Sequence, residues 1–130
     1  MTADIAAPIL VVDDSPAMHR VIAEILSRCG VEDVEFANGV SDAVRKLSAR
    51  AYSLVISDYW LGEQTGHDLH AAMASKRDWQ DTPLILLTNQ PDRADELFGQ
   101  GGNRFWLTKP FTAQGLRGKI ESALSGGPGA

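Results

Sequence analysis

The chain reads as an α/β protein built on an open parallel sheet. Two observations point there. Short apolar runs alternate with segments whose apolar residues recur at helical spacing, the pattern of successive strand–helix units. Four of these runs also end on a polar group. Ile9-Leu10-Val11-Val12 meets the acidic pair Asp13-Asp14, and Val55-Ile56-Ser57 meets Asp58. Leu84-Ile85-Leu86-Leu87 stops at Thr88, and the run through Leu107-Thr108 stops at Lys109. In an open parallel sheet, ligands bind at the carboxyl ends of the strands. One site made of three carboxylates, a hydroxyl and an ammonium is therefore expected.

Each element has its own signal. After the first strand, Ser15 is placed to cap a helix with Pro16 in its first turn. Met18, Val21, Ile22, Ile25, Leu26 and Cys29 then share one face, and Gly30 ends the helix. Val34-Glu35-Phe36-Ala37 alternates, as a strand near a sheet edge does. Val40, Ala43, Val44 and Leu47 mark a second helix. Leu54 to Ser57 is apolar throughout but for the final serine, as expected of a central strand covered on both faces. Leu69, Ala72 and Met73 mark a third helix, Leu84 to Leu87 a fourth strand, and Arg104 to Leu107 a fifth. Leu116, Ile120, Ala123 and Leu124 mark the last helix, with Thr112 as its cap. Between Pro91 and Phe105 the pattern is weakest. Ala94, Leu97 and Phe98 are followed by Gly99, Gly101 and Gly102. Glycine costs roughly 1 kcal/mol against alanine inside a helix. A short, mobile fourth helix that gives way near Gly99 is expected.

The 130 residues suit a single domain with its core over about 8–124 and a Gly- and Pro-rich tail at 125–130 expected to be disordered. A hydrophobic fraction of 44% suits a packed interior. The formal charge of −5, with no clustered Lys/Arg face, argues against nucleic acid as a direct partner, because phosphate binding needs a basic stripe. The apolar runs fall far short of the ~20 residues that cross a bilayer, and the first residues lack the form of a signal peptide. One cysteine, Cys29, excludes an intrachain disulfide and fits a cytoplasmic setting. It lies on the apolar face of its helix and is read as core. His19, His67 and His70 are read as surface residues rather than metal ligands.

Crowded carboxylates conflict with one another. Two unit charges ~4 Å apart cost roughly 4 kcal/mol at an effective dielectric of about 20, and burial raises a carboxyl pKa further. A divalent cation removes the conflict. Mg²⁺ (or Mn²⁺) suits such a site, because it takes oxygen ligands and keeps several waters beside one or two carboxylates.

Taken in order, each at a strand end, Asp13-Asp14, Asp58, Thr88 and Lys109-Pro110-Phe111 resemble the CheY-like receiver domain of two-component response regulators. The resemblance runs from about Pro8 to about Leu124. It implies a flavodoxin-like, doubly wound sheet of five parallel strands in the order 2-1-3-4-5, with five helices. It implies that Asp58 is the phosphoacceptor and nucleophile, that Lys109 neutralises charge on the transferring group, and that Thr88 is the switch hydroxyl. Asp14 and Asp58 would bind the metal directly and Asp13 through water, with the backbone carbonyl of Trp60 as a further ligand. Trp106 matches the switch aromatic, and the Lys109-Pro110 peptide should be cis. The donor would be a histidine kinase or a histidine phosphotransfer protein, and the output an unidentified protein partner. The only chemistry catalysed would be the protein's own phosphorylation and dephosphorylation.

The chain departs from the family pattern at several places. Asn89 stands where a small residue is usual, Trp60 is large and apolar, and Gly62 replaces a frequent proline. Trp106 is bulkier than the usual Tyr or Phe, and the Thr88–Lys109 interval is one residue short. No reacting group is missing, so these departures bear on kinetics and on the size of the switch. Other functions fit less well. A phosphorylation-independent pseudo-receiver would not need the intact Asp13, Asp14, Asp58, Thr88 and Lys109. An aspartate-nucleophile phosphohydrolase would carry a DxDx[TV] pattern where this chain has Asp13-Asp14-Ser15-Pro16. An FMN carrier would need a first loop rich in Ser, Thr and Gly, and the acidic pair would repel the FMN phosphate.

Overall fold

The structure is a computed structural model that describes residues 8–89 and 104–124. The expected fourth helix, the N-terminal start and the tail lie outside the described residues. Five strands form one parallel sheet: β1 (Ile9–Val12), β2 (Val34–Ala37), β3 (Leu54–Asp58), β6 (Leu84–Thr88) and β7 (Arg104–Thr108). Their order is β2-β1-β3-β6-β7, the doubly wound arrangement expected, with the strand bearing Asp58 in the middle. β4 (Trp60–Leu61) and β5 (Gln64–Thr65) form a separate antiparallel hairpin. The described helices are α1 (Pro16–Arg28), α2 (Val40–Ala49), α3 (Gly66–Ala74) and α4 (Ala113–Leu124).

Side chains alternate across a strand, and the core divides accordingly. Ile9, Val11, Leu54, Ile56, Ile85 and Leu87 face α1 and α4, where Ile22, Leu26, Leu116 and Ile120 meet them. Leu10, Val12, Val55, Leu84 and Leu86 face α2 and α3, where Ala43, Leu47, Leu69 and Met73 meet them. Cys29 is buried in the first cluster, as expected. β3 and β6 are buried along their whole length, which is what continuous apolar strands between two helix layers require.

Local signals place the helix ends. Ser15 caps α1 by accepting from the Met18 N–H at 3.3 Å, with Pro16 in the first turn. Gly30, at φ +89°, turns the chain beyond its end. Thr112 caps α4, accepting from the Gly115 N–H at 2.9 Å. Thr65 and Asp68 form a capping box on α3. The edge strand β2 is tied to the start of β3. Arg50 donates to Asp33 and to Glu35, and the Tyr52 hydroxyl donates to Glu35 at 3.0 Å. Burial, with Glu35 adding to it, pushes the Tyr52 phenol up to about 12, so it remains a donor at any physiological pH.

The segment after Asp58 positions the site. Gly62 turns the β4–β5 hairpin at φ +75°, a value closed to the proline often found there in the family, whose ring holds φ near −65°. The Gly66 N–H then donates to the Tyr59 carbonyl at 2.6 Å. A Cβ on Gly66 would run into the buried Leu86 side chain, so glycine lets the returning chain lie this close to β6.

Candidate active site

The strand ends bring most of the expected residues together. Asp58 closes β3 and is 8% exposed, while Asp13, just beyond β1, and Thr88, at the end of β6, are each 2% exposed. Lys109 reaches in from the turn after β7, and its Nζ lies 2.8 Å from Asp58 Oδ1. Its own N–H donates to the Thr88 carbonyl at 2.8 Å, which fixes the lysine to the end of β6. The Lys109–Pro110 peptide is cis, as the resemblance implies. The Tyr59 N–H also donates to Asp58 Oδ1, at 3.0 Å. Oδ1 thus takes both bonds, and Oδ2 accepts none from the described residues.

The acidic pair is split by strand geometry. Asp13 turns inward, where its N–H donates to the Ala37 carbonyl at 3.0 Å and its Oδ1 accepts from the Ser15 N–H at 2.9 Å. Asp14 stands exposed at the rim. Burial pushes the Asp13 carboxyl above its ordinary range, with the nearby charges of Asp58 and Asp14 adding to the rise. The Ser15 N–H and the Lys109 ammonium pull the other way and do not cancel it.

The chemistry of the donor set fits a cation: the carboxylates of Asp13 and Asp58 lie buried at adjacent strand ends, with Asp14 beside them. The site differs from a closed metal cage: among the described residues, no group of three or more His, Cys, Asp or Glu side chains is drawn together to hold an ion. A cation here would rely on one or two carboxylates, a carbonyl and water, which is the manner of Mg²⁺ and not of Zn²⁺.

Because Asp13 has a raised pKa in the folded protein, its protonated form favours folding. That contribution is fully present below the ordinary value of 3.8 and is lost as pH rises through the raised value. Asp13→Asn keeps the acceptor for Ser15 and removes the charge. In metal-free buffer it is expected to stabilise the protein at pH 7 by about 1 kcal/mol, a rise of several degrees in Tm. The gap from wild type should close below about pH 4. Thermal melts across pH check this, and a lower Tm at pH 7 would show that the Asp13 charge supports the fold.

The remaining candidates have distinct surroundings. Trp60 is 50% exposed and rests edge-on against Tyr59, with ring centroids 5.0 Å apart. Trp106 is half-buried and packs on the α2/α3 side of the sheet. It pairs in register with Leu86, so Thr88 is its diagonal neighbour. The strand alternation that places Leu84 and Leu86 on that side directs Thr88 there too.

Two histidines differ from their surface reading. His70 is half-buried, 3.3 Å from an Arg104 nitrogen, and burial, with the Arg104 charge, lowers its pKa. His19 is half-buried against the site loop, with its Nε2 2.6 Å from the Asp13 carbonyl. The signal for His19 lay in its position. It begins the second turn of α1, and helical side chains lean back toward the N-terminus.

A buried carboxylate with one oxygen held by an ammonium, and the other without a hydrogen bond from the described residues, is suited to accept a phosphoryl group. It stands at the end of the central strand of a doubly wound sheet, where such folds bind their ligands. Comparison with known proteins agrees. Residues 9–121 match the response regulator receiver domain, and the chain belongs to that family. It is 37% identical to the chemotaxis protein CheY1 of Helicobacter pylori over 118 residues, 89% of this chain and 95% of that protein. The signal receiver domain of a signal transduction histidine kinase from Syntrophus aciditrophicus is 31% identical and superposes with a TM-score of 0.80, covering 93% of this chain and 92% of that one. The chemotaxis response regulator CheY4 of Vibrio cholerae is 26% identical with a TM-score of 0.76, covering 89% of this chain and 97% of that one. The protein is therefore a two-component receiver. Among the described residues no helix is long and apolar enough to cross a membrane.

Proposed function

We propose that residues 8–124 act as one receiver unit in which Asp58 takes a phosphoryl group from the phosphohistidine of a histidine kinase or a histidine phosphotransfer protein. The observation that carries this reading is the pairing of Lys109 Nζ with Asp58 Oδ1 at 2.8 Å, which leaves Oδ2 as the attacking oxygen. A bond forms from Oδ2 to phosphorus as the bond from phosphorus to the imidazole nitrogen breaks. The imidazole leaves on the donor and the acyl phosphate stays on Asp58. Lys109 then stands beside the transferred oxygens, and the transfer itself needs little beyond positioning and charge.

Receiver domains bind Mg²⁺ in their active site, and in this chain Asp14, Asp58 and the Trp60 carbonyl would hold it, with Asp13 acting through water. When bound, the ion would neutralise charge on the transferring group. The chemistry is confined to the protein's own phosphorylation and dephosphorylation. The signal would leave through Thr88. A phosphoryl group brings roughly −1.5 to −2 charges and strong acceptors. Thr88 turning toward it would vacate space on the face it shares with Trp106, which can then pack inward and alter the surface offered to a partner.

Beside Lys109 a 440 Å³ groove is lined by Met18, Val21, Asn89, Pro110 and Phe111, with Val21 47% exposed. An apolar groove at the mouth of the site suits the helix that carries the donor histidine. Val21→Glu is expected to slow transfer from the phosphohistidine protein about 10-fold, the equivalent of roughly 1.4 kcal/mol. Labelling by a small phosphodonor such as acetyl phosphate should be unchanged. Equal transfer from the protein donor would place docking elsewhere, and no transfer to the wild type would contradict the function itself.

A further inference from the structure

We propose that His19 is a positioning residue for metal capture, acting through the main chain of the acidic pair. The inference rests on the reading above that Asp14 takes part in holding Mg²⁺. Asp14 is exposed. Among the described residues no hydrogen bond holds its carboxylate, so the backbone that carries it sets where that side chain starts.

That backbone is clamped at Asp13. The Asp13 N–H donates to the Ala37 carbonyl at 3.0 Å, anchoring the loop to β2. The Asp13 side chain takes the Ser15 N–H at 2.9 Å, which turns the chain into α1. The Asp13 carbonyl is the third point. It begins the peptide unit leading to Asp14, and its partner is His19 Nε2 at 2.6 Å. A carbonyl oxygen only accepts, so the ring carries a proton on Nε2 and donates. This contact holds the rotation of the Asp13–Asp14 peptide plane, and with it the position of the Asp14 Cα from which the side chain departs.

The imidazole is itself braced. It stacks on Phe36 of β2, with ring centroids 4.8 Å apart and planes 27° from parallel. Phe36 in turn packs on the core layer beneath α1 and α4. A side chain that would otherwise cost rotamer freedom is thus presented ready to donate. His19 touches neither the phosphoryl site nor the expected ion directly, so its effect should appear in Mg²⁺ affinity and not in the rate at saturating metal.

Three variants separate the hydrogen bond from the stacking. His19→Phe keeps a ring against Phe36 and loses the donor. His19→Gln keeps an N–H donor and loses the ring. His19→Ala loses both. Mg²⁺ affinity is read by calorimetric titration in the absence of any phosphodonor, with thermal melts on the same samples. The labelling rate is then followed against Mg²⁺ concentration. His19→Phe is expected to melt within a few degrees of wild type yet bind Mg²⁺ about 5-fold more weakly, from the loss of one hydrogen bond. Its labelling rate at saturating Mg²⁺ should match wild type. His19→Gln should recover most of the affinity.

Wild-type affinity in His19→Phe would overturn the inference. So would a loss of affinity that follows the loss of Tm across all three variants, since that is the mark of a structural role. No Mg²⁺ binding by the wild type would overturn the metal reading and this inference with it. Wild-type binding with unchanged variants overturns the inference alone.

Discussion

Asp58→Asn is expected to take up no phosphoryl group from any donor. An amide oxygen is a poor nucleophile toward phosphorus, and the other candidate carboxylates are badly placed. Asp13 is 2% exposed and its Oδ1 is engaged by Ser15, while Asp14 stands at the rim. Only Asp58 combines the end of the central strand with the Lys109 ammonium at 2.8 Å. The fold should survive, because asparagine can still accept from the Tyr59 N–H. One negative charge leaves the crevice, which removes one of the causes that raise the Asp13 carboxyl. Mg²⁺ binding should weaken for the same reason. Intact-mass spectrometry after incubation with a phosphodonor and Mg²⁺ checks the main point. One added phosphoryl group on wild type and none on the variant is the expected pair of results.

Lys109→Met should separate binding from chemistry. Methionine keeps most of the stem length and removes the charge. The transferring group then lacks one of the charges that stabilise it, and losing such a contact typically costs on the order of 10² in rate. The same change makes the crevice more negative, since Asp58 loses the ammonium that pairs with it. Mg²⁺ should therefore bind several-fold more tightly while labelling slows by about 10²-fold. In metal-free buffer the fold should lose stability, because Asp58, 8% exposed, keeps its charge without the partner that offset it. Rapid-quench labelling at saturating Mg²⁺ and a calorimetric titration give the two numbers. An unchanged rate would remove Lys109 from the transfer step, and weaker Mg²⁺ binding would show that the lysine helps to build the metal site.

Much of this arrangement was legible in the sequence. Strand ends are easy to read, because an apolar run that stops on Asp, Thr or Lys marks both the element and the direction in which its last residue matters. The caps at Ser15 and Thr112 were legible for a related reason: a hydroxyl just before a helical repeat has one obvious partner, the free N–H groups of the first turn. What escaped depended on contacts between elements. The β4–β5 hairpin has two-residue strands, too short to show any period, and only Gly62 hinted at a turn. Asp13 and Asp14 look equivalent as letters, yet successive side chains at a strand end point in opposite directions, so one is buried and the other is not. His19 has no partner in its own helix. Its role depends on a carbonyl in the preceding loop, toward which its place in the helix leans it, and on a ring on β2, which the helical pattern does not reveal.

As a receiver, the chain would work by turning Asp58 into an acyl phosphate. Chemical trapping tests this most directly. An acyl phosphate is reduced by borohydride to an alcohol, which would convert a phosphorylated Asp58 to homoserine and leave phosphate esters untouched. Wild-type protein phosphorylated in the presence of Mg²⁺, reduced and mapped by peptide mass spectrometry, should carry homoserine at position 58 and at no other aspartate, with none when the metal is chelated. Homoserine at position 13 or 14, or a phosphate that survives reduction on a hydroxyl side chain, would contradict the account.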